Sequence, residues 1–225
     1  EWKAGRITLL KCSGAASAIG INNRGAIVGW SVLPGGKSAA TVWISSSKSP
    51  LQLPQYSKAV AISSSGEILV NSASGCYVLH PQGSRYAGEK IGSLGGGDTT
   101  GMALGIRGQA AGLSMTAAGL THAFLWEKGA MQDISAVRAP DKTEPVLTIY
   151  GINSRGQMVG TIRNGTDCTA MFFANGRQYN LNHFIPKIGL KLDIARGIND
   201  RGQIIGQGHI GGRTVSFILT PAAGE

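Results

Sequence analysis

The stretch Gly197–Gly206, GINDRGQIIG, sets a polar turn between two short apolar runs. It returns almost verbatim as GINNRGAIVG at Gly20–Gly29 and as GINSRGQMVG at Gly151–Gly160. Looser copies read AVAISSSGEILV at 59–70 and GMALGIRGQAAG at 101–112. The phrase reads as a β-hairpin. Asn22, Asn153 and Asn199 can each accept a backbone N–H and so stabilise a chain reversal. The glycine three residues later supplies the positive-φ position that closes a short hairpin with a bulge.

The turn glycines Gly25, Gly66, Gly108, Gly156 and Gly202 lie 41 to 48 residues apart, the period of a propeller blade. After each turn comes a short aromatic and aliphatic run: ATVW (40–43), CYVL (76–79), AFLW (123–126), AMFF (170–173) and SFIL (216–219). A weaker run follows near Leu51–Leu53, Lys90–Leu94, Met131–Ile134 and Tyr179–Leu181. Four short strands per unit, with no 3.6-residue periodicity, exclude an α/β fold. The expectation is an all-β, five-bladed propeller of four-stranded antiparallel blades forming one domain over 1–225. Its units span approximately 12–54, 55–96, 97–139, 140–185 and 186–225. The last unit ends in SFILTPAAGE without a fourth strand, while RITLLK (Arg6–Lys11) precedes the first unit. That N-terminal strand is expected to complete the last sheet and close the ring, which would cover the sheet edges. An open β-solenoid is the other architecture, although its rungs are normally shorter.

Composition agrees with a turn-rich fold. Gly accounts for 34 of 225 residues without a collagen period, and 42% hydrophobic residues suffice for a core. The net charge of +9 favours an anionic neighbour such as polysaccharide, a membrane surface or nucleic acid. Scattered positives and absent RNA-binding motifs place nucleic acid last among these. No run reaches transmembrane length. The chain begins at Glu1 rather than Met, which leads us to expect a preceding signal or domain. Cys12, Cys76 and Cys168 lack metal-site spacing and read as buried thiols, with one disulfide of unassigned pairing as the alternative.

The repeat phrase and His122-Ala123-Phe124 together resemble the extracellular HAF-repeat family, whose units carry G-I-N-x-x-G-Q-x-x-G followed by a His-Ala-Phe strand. Ala40-Thr41, Ala170-Met171 and Ser216-Phe217 match the second phrase in part, and the similarity runs over almost the whole chain. The resemblance implies a propeller-like β architecture and a secreted, periplasmic or cell-surface location. It implies no shared catalytic residues.

The chain offers little for catalysis. There is no G-x-S-x-G, and GSLGGG at 92–97 lacks the Lys-Ser/Thr of a phosphate loop. His80, His122, His183 and His209 fall in different units without metal-ligand spacing, so neither metal nor cofactor is expected. Asp98, Asp141, Glu144, Asp167 and Asp193 lie at segment junctions. Two of them could converge as the carboxylate pair of a polysaccharide-acting hydrolase, which is the alternative function.

Binding is the leading expectation. Arg24, Arg107, Arg155 and Arg201 each precede a turn glycine, with Ser65 at this place in the second unit. In a closed ring they would form a basic rim on one face, unless each solvates its turn or pairs with a neighbouring unit. On the opposite side fall the long, non-repeating connections. Their candidate contacts are Arg138, Asp141, Lys142, His183, Phe184, Lys187 and Lys191, joined by His209 and Arg213 of the GHIGGR loop. The expected function is a non-enzymatic envelope or extracellular module. It would recognise a protein partner within a larger assembly, or an anionic glycan, through these basic loops.

Overall fold

A computed structural model describes residues 2–3, 6–7, 9–44, 49–135 and 146–222. Among them are five antiparallel sheets of three or four strands, one two-stranded ribbon and a single 3-10 turn. The chain divides into two compact units, Glu1–Lys90 and Ile91–Glu225.

The first unit opens with a ribbon in which β1 (Trp2–Lys3) pairs with β2 (Arg6–Ile7). Its first large sheet runs β3 (Ala16–Ile21), β4 (Ile27–Val32), β5 (Ser38–Trp43), β6 (Leu51–Leu53). The next runs β7 (Lys58–Ile62), β8 (Ile68–Ser72), β9 (Gly75–Gln82), β10 (Arg85–Lys90). These two sheets share a core in which Val28, Ala40 and Val42 meet Ala59, Ile68, Val70 and Leu79. Buried Trp43 donates its indole N–H to the carbonyl of Lys11 at 2.8 Å.

The second unit holds three sheets. One runs β11 (Gly95–Leu104), β12 (Ala110–Thr116), β13 (Thr121–Glu127), β14 (Ala130–Asp133). The next runs β15 (Val146–Ile152), β16 (Met158–Asn164), β17 (Asp167–Ala174), β18 (Arg177–Asn180). The last is three-stranded: β19 (Leu190–Ile198), β20 (Ile204–Ile210) and β21 (Arg213–Leu219). Separate cores fill the two gaps between them. Ala111 and Ala123 pack on Leu147, Ile149 and Met158, while Val159 and Ala170 pack on Leu192, Ala195 and Ile204. Within each unit the buried alanines let adjacent sheets approach closely, so neighbouring sheets stabilise one another through their apolar faces.

The repeated phrase forms the same hairpin in all five sheets. Gly25, Gly66, Gly108, Gly156 and Gly202 have φ of +74°, +96°, +76°, +74° and +77°, where an L side chain would be strained. The first strand of every sheet also carries a register shift, at Ala18/Gly20, Ala59/Ala61, Gly101/Ala103, Ile149/Gly151 and Ala195/Gly197. The phrase's closing glycine faces that bulge. A Cβ at Gly29, Gly112, Gly160 or Gly206 would lie 1.9, 2.0, 2.0 or 2.1 Å from a carbonyl oxygen of the opposite strand. The second sheet carries Val70 at this place and still keeps the bulge.

Two strand expectations change. The fourth strand of the second large sheet is β10, Arg85–Lys90, rather than Lys90–Leu94, because β9 runs on to Gln82 and its hairpin turns directly into Arg85. The N-terminal strand expected over Arg6–Lys11 is limited to Arg6–Ile7, and it pairs with Trp2–Lys3 instead of joining the last sheet. Local pairing closes a very short loop, whereas reaching β21 means closing a loop of roughly 200 residues, at a higher entropic cost. The five sheets are therefore present without closure through that strand.

Candidate functional site

The hairpin tips are built by their asparagines. Asn22, Asn153 and Asn199 each accept two backbone N–H groups through Oδ1, at 3.0 to 3.1 Å, from the residues two and four positions later. Their side-chain amides remain available for the neighbouring sheet. Asn22 Nδ2 donates to the carbonyl of Ser63 at 3.0 Å, and Asn153 Nδ2 to that of Asn199 at 3.2 Å. Asn199, the last copy, turns its amide to its own Gln203 at 2.9 Å. Ser63 replaces the asparagine in the second sheet, and its hydroxyl accepts the Glu67 N–H at 3.1 Å.

Rigid tips fix the arginines beside them. Arg24, Arg107, Arg155 and Arg201 are all exposed. Arg155 spans to the next sheet and donates to the carbonyl of Asp200, whose carboxylate accepts the Ser154 N–H at 2.8 Å. That backbone donor, aided by the Ser154 hydroxyl and by Arg155, holds the Asp200 carboxyl below its ordinary value of 3.8. The guanidinium of Arg201 has no hydrogen-bond or ion-pair partner among the described residues. Both arginines line an open cleft of about 700 Å³ between the last two sheets.

Aromatic side chains form the rest of that cleft. Phe172 and Tyr179 are cross-strand partners on β17 and β18 with ring centroids 5.9 Å apart. Phe184 meets Tyr179 edge-on at 6.1 Å and is 66% exposed. β18 is only four residues long, and Asn180 caps the following 3-10 turn, Leu181–Phe184, by accepting the Asn182 N–H at 2.9 Å. Asn182 in turn exchanges hydrogen bonds with the Leu192 backbone at 2.7 and 2.9 Å. This fold-back places Phe184 in the lining of the same cleft as Arg155 and Arg201.

The remaining candidates fall elsewhere. His183 and Lys187 are exposed on the connection from β18 to β19. Lys191 and His209 are strand residues rather than loop residues, since only Gly211 and Gly212 separate β20 from β21 at Arg213. Lys191 pairs with Asp167 and lies 3.9 Å from Asp193, which binds His209 Nδ1 at 2.8 Å. Two of the five scattered acids do converge, but on a lysine. Asp98 is exposed on β11. Arg138, Asp141, Lys142 and Glu144 lie outside the described residues.

The other histidines belong to acid pairs. His122 Nδ1 lies 2.6 Å from Asp133, and His80 lies 3.3 Å from Glu67 and 3.2 Å from Glu89. Among the described residues no group of three or more His, Cys, Asp or Glu is placed to hold a metal, and no helix is long and apolar enough to cross a membrane. Cys12 is exposed, Cys168 half-buried and Cys76 buried, so the reading of all three as buried fails at Cys12.

Sequence reasoning passed over Tyr179 and Phe172 as ordinary strand residues. The nearby N-L-N-H-F run, with Asn at both ends of a reversal, was the available signal that the chain turns back onto them. No family model matches the chain, and no curated protein matches it at a significant level.

Proposed function

We propose that the chain is a non-enzymatic binding module whose five sheets are the blades of a propeller, and that it recognises an anionic ligand at the cleft between the last two sheets. The cleft joining Arg155 and Arg201 to Tyr179 and Phe184 carries this reading. It combines an unpartnered guanidinium, exposed aromatic surface and a rigid frame, which are the elements of a preformed site. The net charge of +9 adds long-range attraction for anions. An envelope or extracellular location rests on the resemblance to HAF-repeat proteins, and an acidic glycan as the anion rests on the basic charge and the exposed aromatic surface of the cleft.

The test is retention of the protein on arrays of acidic and neutral glycans at rising salt. Selective, salt-sensitive retention that is lost in Arg201→Gln and Phe184→Ala supports the reading. Equal retention on neutral glycans, or none on any, overturns it.

The propeller arrangement has its own support. The first and last sheets carry exposed isoleucines: Ile19 and Ile21 on β3 at 40% and 62%, Ile205 on β20 and Ile218 on β21 at 53% and 62%. Packing of these faces on one another in a closed ring would bury them. Single cysteines replacing Ile21 or Ile218, in a background without the natural three, report on closure. Slow maleimide labelling of each is expected in the native monomer, and labelling as fast as in urea would sink the closed ring.

A polysaccharide hydrolase is less well supported. Among the described candidate acids, Asp167 and Asp193 converge on the ammonium of Lys191, which offsets their charge rather than leaving an open carboxylate pair.

A further inference from the structure

We infer that the cleft takes a uronic-acid unit of a polysaccharide, its carboxylate on Arg201 and its pyranose ring against Phe184 and Tyr179. This inference rests on the binding reading above and narrows it to one chemical class.

The choice follows from how charge and apolar surface are divided in the cleft. Arg155 is already engaged with the Asp200 carbonyl, which leaves Arg201 as the guanidinium free to form a two-pronged contact. One free fork matches one carboxylate, the charge that a uronate carries on each ring. A heavily sulfated or phosphorylated chain brings more charge than a single free arginine meets. The remaining wall is apolar and aromatic, with Phe172, Tyr179, Phe184 and Leu219. A sugar ring presents a C–H face to such a wall and keeps its hydroxyls toward solvent. Phe184 suits this role because it is 66% exposed yet held on Tyr179 and anchored by the capped turn. Little ordering of the side chain is then needed when a ligand arrives. The cleft is also open rather than enclosed, which admits an internal unit of a long chain as readily as a chain end.

The experiment is calorimetric titration of the full chain with a short oligogalacturonide, the same oligosaccharide with its carboxyls reduced to alcohols, a sulfated oligosaccharide and a short acidic peptide. The uronate ligand is expected to bind, and its carboxyl-reduced form to bind roughly 10- to 100-fold more weakly, the loss of a charge-assisted pair. Arg201→Gln should weaken the uronate by a similar factor. Phe184→Ala should weaken it by about 10-fold, and Phe184→Tyr should restore binding. Lys58→Gln removes the same charge from the other unit and should leave the affinity unchanged.

Circular dichroism and thermal melts of each variant establish that it is folded. Tighter binding of the sulfated ligand or of the peptide would overturn the uronate assignment while leaving an anion-binding cleft in place. Equal affinity for the carboxyl-reduced sugar would overturn the role of Arg201. Absence of binding by all four ligands to folded protein would remove the binding reading and the inference together.

Discussion

Asn153 and Asn199 occupy the same position in consecutive sheets, and the side-chain amide of the first donates to the backbone carbonyl of the second at 3.2 Å. The same asparagine closes its own turn through Oδ1, so one side chain ties a hairpin to its neighbour. Asn153 is buried at 3% exposure, whereas Asn199 is exposed and has no later copy to reach. Asn153→Ala is therefore expected to cost about 1–3 kcal/mol, because it strands buried backbone groups. Asn199→Ala should cost about 1 kcal/mol or less, since solvent replaces the lost partners. Asn153→Ser should recover part of the loss by acting as Ser63 does. Urea unfolding of the three variants checks the ranking, and equal losses for both alanines would show that the inter-sheet bond contributes nothing.

A second prediction concerns the bulge. Gly160 pairs with Ile149 across the sheet, and the carbonyl oxygen of the preceding Thr148 would stand 2.0 Å from an added Cβ. Backbone cannot yield as a flexible side chain can, so Gly160→Ala should destabilise by about 1–3 kcal/mol. Gly165→Ala meets nothing within 4 Å, and its cost is limited to the strain of φ +58°, roughly 1 kcal/mol. The measurement is the denaturant midpoint at unchanged slope. Val70 sharpens the comparison, because Gly→Val transplanted from that sheet to position 160 fails unless the surrounding backbone moves too.

These positions show how far the chain could be read before its fold was known. Turn glycines, bulges and asparagine caps depend on residues within a few positions of one another, and five copies reinforce the same reading. Phe184 stands in a non-repeating connection, yet its place in the cleft with Arg155 and Arg201 depends on how soon β18 ends and how the Asn180 cap turns the chain. The convergence of Asp167 and Asp193 on Lys191 depends on cross-strand register and on the packing of two sheets. Such contacts are set by three-dimensional spacing, which a linear pattern does not encode. The same limit explains the N-terminal strand: Ile7 and Leu9 mark an apolar segment, but an alternating pattern does not name its pairing partner.

Acid sensitivity gives a third prediction. The Ser154 N–H, with its hydroxyl and Arg155, favours the ionised form of Asp200 and lowers its pKa from 3.8. A depressed carboxyl contributes stability that is present above its unfolded value and is lost as pH falls through its folded value. Wild type should thus lose stability more steeply below about pH 4 than Asp200→Asn does, with the two curves parallel at neutral pH. Because the carboxylate is nearly exposed, screening reduces the effect, and it should shrink further at high salt. Parallel curves through the acid range would remove this contact from the pH dependence.

Thiol accessibility supplies the last prediction, and it tests the packing of the first unit directly. Cys12 is exposed, Cys168 half-buried and Cys76 buried with no solvent exposure on β9, where it pairs with Asn71 of β8. A maleimide added to native protein should modify Cys12 rapidly and Cys168 more slowly. Cys76 should react only when its sheet opens, so its labelling rate should rise with urea in step with unfolding. Cys76→Ala should leave the fast and intermediate phases intact and remove the slow one. Rapid native labelling of all three thiols would mean that β8 and β9 do not bury Cys76 as described, and the shared core of Val28, Ile68 and Leu79 would then be loosely formed.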